Sequence, residues 1–275
     1  MHKKALTRFL KSERALAVPV TYLILFVSLM AIIFVTYSFA VAKISARGAL
    51  LKTSMARQNM QGLDDGVLSV TWSFGASEVI YMDDCGGRFK TEPTAKTLVL
   101  NFTDEHSFYD VVFNSPIGKA FYELEPSETE YDGFFIRGDE RAIINQSSFT
   151  MTQLYFGLGD NIKQLVLCYR PSATSAFIGT SNGKPLNIIR IYILNLNSSH
   201  PLTLREKFYL KVTAINVTTT ARQYEFNVSV SSLALIADFD GTLSTVWLPI
   251  SSDPEGAVVN LEIVVCSVKI QRAEV

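Results

Sequence analysis

The stretch ALAVPVTYLILFVSLMAIIFVTYSFAVA, residues 15–42, decides how this chain is built. It runs 28 residues without a charge. As a helix rising 1.5 Å per residue it is about 42 Å long, against about 30 Å for the hydrocarbon core of a bilayer. Before it, residues 1–14 set Lys3, Lys4, Arg8, Lys11 and Arg14 against a single acid, Glu13. Such a basic flank stays on the cytoplasmic side, so the remainder of the chain is expected outside. A secretory signal has an apolar region of only about 7–15 residues, closed by a small-residue site. Ala40 to Ala42 has that small-residue form, but the apolar run is far too long for it.

Working outward, residues 43–63 contain no Pro, and Gly48 is their only Gly before Gly62. Ile44, Leu51 and Met55 recur near helical spacing, with Lys43, Arg47, Lys52 and Arg57 among polar neighbours. Gly62 to Gly66 (GLDDG) reads as a stop signal. The pattern predicts one helix over 16–66, apolar in its first half and amphipathic in its second.

Residues 67–275 punctuate like an all-β domain. Strands are expected at 78–82, 97–102, 162–169 and 188–194, with turns at Asp83 to Gly87 and Asn182-Gly183. Phe208, Leu210, Val212 and Ala214 alternate with polar residues, as do Tyr224, Phe226, Val228 and Val230, so each segment has one buried and one solvated face. Residues 258–270 close the chain as a long strand. The fold class is therefore α+β: a long N-terminal transmembrane or filament-core helix, then a mainly β head over 67–275 built as an antiparallel β-sandwich. Two sub-sandwiches with a seam near 182–186 are an alternative arrangement of that head.

Composition excludes several function classes. The 25 basic residues balance 26 acidic ones, and no basic stripe follows residue 57, so no nucleic-acid partner is expected. Cys85, Cys168 and Cys266 form no C-x-x-C pair and no disulfide framework. One bridge with a leftover thiol and three buried thiols both remain open; Cys266, sharing a strand face with Val264 and Val268, is expected to be buried. His2, His106 and His200 are isolated, so neither metal nor cofactor is expected. Gly157 and Gly159 make a lone G-x-G, read as a loop. Asp64-Asp65 and Asp83-Asp84 read as solvated turns. Glu123, Glu125, Glu128 and Glu130, with Pro126 among them, read as an acidic loop.

Residues 234–243 (ALIADFDGTL) resemble the first motif of haloacid dehalogenase-type phosphatases. The resemblance would make Asp238 the nucleophile and Asp240 the acid and base. Only 35 residues follow Asp240, too few for the rest of that α/β core. A strand, an Asp240-Gly241 turn and a returning strand to Pro249 explain the same residues. The chain is expected not to be an enzyme.

A second resemblance covers the first 65 or so residues. The basic leader ending Glu13-Arg14-Ala15, then Leu16 to Tyr22 (LAVPVTY) and the long apolar run, resemble the class III signal of archaeal type IV pilins. The resemblance implies cleavage by a prepilin peptidase between Ala15 and Leu16, with Arg14 ending the leader and Leu16 opening the mature chain. Pro19 lies near the Pro often found just inside the mature helix. Ala15 replaces the commoner Gly before the cut, and Val20 stands where bacterial pilins carry Glu. Residues 1–15 would then be a cytoplasmic leader. Small residues such as Ala31, Ala40, Ala42, Ala46 and Gly48 would let copies of the helix pack closely. The expected partners are the membrane, copies of the chain or related pilins, and the peptidase and assembly machinery. The expected function is a structural filament subunit; the alternative is a permanently anchored extracellular β-sandwich that binds a partner. Five N-x-S/T sequons, at Asn101, Asn145, Asn197, Asn216 and Asn227, are candidate N-glycosylation sites of an external head.

Overall fold

The computed structural model describes residues 3–124, 133–145, 150–159 and 162–274, with side chains from Pro19 onward. The long apolar segment is helical as expected: α1 spans Lys3–Val70 and contains Pro19. The chain forms two compact units, Met1–Leu51 and Lys52–Val275. In the first, apolar side chains are exposed all round the helix, Tyr22, Phe34, Tyr37 and Ile44 among them. Two hydroxyls there turn back on the helix itself: Thr36 Oγ1 donates to the Ile32 carbonyl at 2.8 Å, and Ser28 Oγ to that of Ile24. Satisfied in this way, they remain compatible with an apolar environment.

The second unit joins the last turns of α1 to thirteen strands. They are β1 (Ser77–Met82), β2 (Arg88–Thr103), β3 (Tyr109–Glu123), β4 (Phe135–Arg137), β5 (Thr152–Leu158), β6 (Lys163–Tyr169) and β7 (Ser172–Ser181). There follow β8 (Lys184–Asn195), β9 (Leu202–Leu204), β10 (Phe208–Phe226), β11 (Ser232–Phe239), β12 (Thr242–Pro249) and β13 (Ala257–Arg272). One sheet has the order β1-β10-β13-β8-β7; the other runs β12-β11-β2-β3-β6-β5-β4, with β9 on β2. Pairing is antiparallel except between β8 and β13, which run parallel through ten residue pairs from Leu186↔Val258 to Asn195↔Ser267.

Alternation of side chains across the strands builds two adjoining cores. One gathers Leu98, Leu100, Ile189, Ile191, Leu235 and Leu261. The other gathers Phe89, Tyr122, Leu167, Leu210 and Val268 around Ala56, Met60, Leu63, Val67 and Val70 of α1. Those five helical positions are spaced four, three, four and three, which is one helix face. In β13 the inward set changes parity, from Val259, Leu261 and Ile263 to Cys266, Val268 and Ile270. The partner strand β10 has a bulge between Ala214 and Asn216, opposite Val268 and Ser267.

Two turns follow their sequence signals. Asn182 and Gly183 have φ of 52° and 82°, Asp240 and Gly241 of 56° and 84°, the positive pair that two-residue hairpins need. Asn182-Gly183 is thus the β7–β8 hairpin, and Asp240-Gly241 joins β11 to β12. Three details differ from the sequence reading. The helix does not stop at Gly66 but runs to Val70. A Cβ on Gly66 would lie 2.4 Å from the Ile80 side chain, so this Gly serves close approach to β1 rather than termination. Residues 224–231 are not a separate strand: β10 runs unbroken to Phe226, because Thr218 to Thr220 are β-branched and no turn residue interrupts them. Val228 beyond it is exposed. Finally, Asp64 is buried rather than solvated.

The glycines provide a test of this backbone. Gly256, at φ 102°, would place a Cβ 1.8 Å from the Phe226 carbonyl oxygen, whereas Gly183, at φ 82°, has open space around it. Gly183→Ala is expected to cost about 1 kcal/mol from backbone strain alone. Gly256→Ala adds a backbone clash and is expected to exceed about 2 kcal/mol in thermal or denaturant unfolding.

Candidate functional site

The final turns of α1 enter the head on their apolar face, and one residue of that face is a carboxylate. Asp64 falls four after Met60 and three before Val67, and its side chain has 0% exposure. A bare buried carboxylate would be strongly unfavourable, so it needs donors. It has three, one from each of three neighbouring strands. Arg137 Nη1 of β4 donates to Oδ2 at 2.6 Å. Thr152 Oγ1 of β5 and the Tyr169 hydroxyl of β6 donate to Oδ1 at 2.8 and 3.0 Å. Arg137 also reaches the exposed neighbour, Asp65, at 2.6 Å. Burial raises the Asp64 pKa despite these donors, while the Asp65 and Asp64 hydrogen bonds raise that of Arg137.

A second polar clamp sits one turn earlier. Asn59 Nδ2 donates to the Asp83 carbonyl at 2.7 Å and its Oδ1 accepts the Asp83 N–H at 3.2 Å. The helix is therefore fixed to the end of β1 as well as to β4, β5 and β6. Nearby, Arg170 is wholly buried and donates to the Thr150 carbonyl, the Arg141 carbonyl and the Asp139 carboxylate. This organises the segment after β4, whose Ala142 N–H reaches Ser244 Oγ of β12 and whose Ile144 bridges Ser172 of β7. Hydrogen bonds from Arg141, then from Arg170, hold the Asp139 carboxyl well below its ordinary range.

The sequence-derived sites disperse. Arg14, Ala15 and Leu16 lie within the backbone of α1, and their side chains are outside the described residues. Asn101 is on β2 with its Oδ1 shut from solvent and unpartnered. Asn197 is half-buried; Asn145, Asn216 and Asn227 are exposed. Asp238 uses Oδ1 to accept the Gly241 N–H at 2.9 Å, a turn contact, and Asp240 lies 3.7 Å from Lys96. Lys96 itself lies over the rings of Phe239 and Tyr155. Cys85, Cys168 and Cys266 are all buried free thiols. Among the described residues no group of three His, Cys, Asp or Glu could hold a metal. Glu125, Glu128, Glu130 and Asp160 lie outside the described residues.

Sequence reasoning missed the Asp64 anchor and the buried Arg170. For Asp64 the signal was present, since its spacing from Met60 and Val67 already puts it on the buried stripe. Its partners, 73 to 105 residues further on, carry no such mark.

These features define a class: a β-rich head carrying one N-terminal helix long and apolar enough to cross a membrane, with the helix's last turns built into the head's core. No protein-family model matches the chain, and the comparison with curated proteins gave no match.

Two measurements probe the anchor. Asp64→Ala leaves the buried Thr152 and Tyr169 hydroxyls without their acceptor and is expected to cost about 1–3 kcal/mol, whereas Asp65→Ala, at an exposed carboxylate, is expected to cost less than about 1 kcal/mol. The second is pH dependence. The folded head holds the Asp139 proton less tightly than the unfolded chain, so stability from its arginine pairs is present above the ordinary carboxylate value of 3.8 and is lost as pH falls below it. Asp64, with its pKa raised, acts in the opposite sense and destabilises as it ionises on rising pH. Asp139→Asn should therefore be less stable than the parent at pH 7, the gap closing as acid protonates Asp139.

Proposed function

We infer that the protein is a non-enzymatic structural subunit of a type IV pilus-like surface filament of the archaeal kind. The observation that carries this reading is the single helix Lys3–Val70, apolar and exposed through its middle and packed into a β head at its end. A simple anchor needs about 20 apolar residues. Between the proposed cut after Ala15 and the head at Lys52 the helix runs about 54 Å at 1.5 Å per residue, against about 30 Å for a bilayer core, which suits a filament core better than a lone bilayer crossing.

Its exposed surface is two-faced in a way that suits packing. Ser28, Ala31, Ser38, Ala42, Ser45 and Ala49 fall on one line at helical spacing, with Val35 as its one larger member, while Tyr22, Phe26, Ile33 and Tyr37 fall opposite. A line of small residues lets a neighbouring helix approach closely, and the bulky line of another copy can fill it. Processing between Ala15 and Leu16 would free the helix from its cytoplasmic leader. Pro19 has no N–H to give the Ala15 carbonyl four residues back, so the carbonyl at the proposed cut lacks its helical donor. The partners on this reading are the membrane, copies of the chain and a prepilin peptidase. The sequons belong to an exported head. The second reading, a permanently anchored external binding module, uses the same apolar length.

N-terminal sequencing of sheared surface material separates the two. A start at Leu16 supports the filament subunit, and an intact Met1 in that material rules it out. Ala42→Trp, which fills the small-residue line, is expected to abolish filaments while leaving the amount of processed protein in the membrane unchanged.

A further inference from the structure

The long strand β10 is paired on both sides only at its start. β1 covers Phe208 to Thr213, and β13 pairs with β10 along nearly its whole length. Beyond the bulge, from Asn216 to Phe226, no described strand pairs with the other edge of β10. Thr218 to Gln223 are exposed on both faces. Arg222 and Tyr224 are tied to Asp110 at 2.9 and 2.6 Å, but residues 216–221 (NVTTTA) carry no charge and no Pro. An unpaired edge of this kind is a template for another strand, and proteins ordinarily blunt it with charges, Pro or a cover. An antiparallel copy centred on Thr219 would set Thr218 opposite Thr220, a favourable cross-strand pair, and Arg222 opposite Asn216 with no like-charge contact.

Two sequons bracket this edge. Asn216 opens it at the bulge and Asn227 follows its last residue; both asparagines and their hydroxyl partners, Thr218 and Ser229, are exposed, and Asn227 Oδ1 accepts from Lys184 Nζ at 2.8 Å. Two other sequons are built into the fold. The Asn101 carbonyl oxygen is buried, and Thr103 Oγ1 is spent on the Phe108 carbonyl at 2.7 Å. Ser199, the hydroxyl partner of Asn197, is buried and accepts the Ile270 N–H at 3.0 Å.

We propose that Asn216 and Asn227 carry N-linked glycans that cover the unpaired edge of β10 and prevent copies of the head from pairing through it. The inference rests on the head being exported, as in the proposed function. In the modification the asparagine amide nitrogen bonds to the anomeric carbon of a lipid-phosphate-linked oligosaccharide. The anomeric C–O bond breaks, the lipid phosphate leaves with its electron pair, and the nitrogen loses one proton to the transferase. A hydrated glycan beside the strand then excludes an incoming backbone from the free edge.

The test uses the full chain in its native cells. Thr219→Cys places a thiol at the centre of the edge; the three native thiols are buried, so a membrane-impermeant reagent reads this one. Labelling on intact cells reports that the head is outside, independently of any glycan. Mass spectrometry of the sequon peptides should then find Asn216 and Asn227 modified and Asn101 and Asn197 bare. Oxidation should give disulfide-linked dimers when T219C is combined with N216Q and N227Q, and few when T219C stands alone. Bare Asn216 and Asn227 in surface-labelled protein overturn the proposal. So do equal modification of Asn101 and Asn197, or equal dimer yield with and without the two glutamines. Absence of surface labelling overturns the exported topology itself, and the inference falls with it.

Discussion

A carboxylate with no exposed surface sits on the helix face that enters the head, and the packing of that end depends on satisfying it. Asp64 takes one donor each from β4, β5 and β6, so three strands that are separate in sequence converge on one helical turn. Apolar contacts from Met60, Leu63 and Val67 supply non-directional attraction. The carboxylate adds direction, because sliding or rotating the helix would strand a buried charge. Asn59, bonded both ways to the Asp83 backbone, fixes the same turns to β1. The last turns of the helix are thus part of the core of the head.

This arrangement also explains how a two-sheet head closes. The last turns of α1 share one core with Met82 of β1 and with Leu154, Phe156, Leu167 and Tyr169 of β5 and β6. Elsewhere the segment held by Arg170 joins β12 to β7. The two long strands β10 and β13 each contribute to both cores. The bulge at Ala214 and Asn216 marks the point beyond which β10 has no second neighbour among the described strands.

Much of the architecture was legible in local residue patterns. Alternation at Phe208 to Ala214, the apolar run at 258–270 and the Asn182-Gly183 and Asp240-Gly241 turns each announce their own geometry, because strand period and positive φ are properties of a few adjacent residues. The misreadings share a cause. Gly66 looked like a helix stop because a glycine's role depends on what approaches it, here Ile80 of β1. Residues 224–231 looked like a fresh strand because alternation does not say whether a strand has just begun or is ending. Asp64-Asp65 looked like a turn because two adjacent acids usually are solvated. Nothing within a few residues reveals that Arg137, Thr152 and Tyr169 will surround the first of them.

The sequence by itself determined that one long apolar helix opens the chain and a mainly β body follows. Those follow from hydrophobic period and length, which are local and additive along the chain. Only the tertiary structure decided that the helix ends inside the head's core, that β8 and β13 run parallel, which sequons are exposed, and that one edge of β10 beyond the bulge has no partner among the described strands. These depend on contacts between residues far apart in sequence, where the free energy of each group is set by neighbours that local pattern does not name.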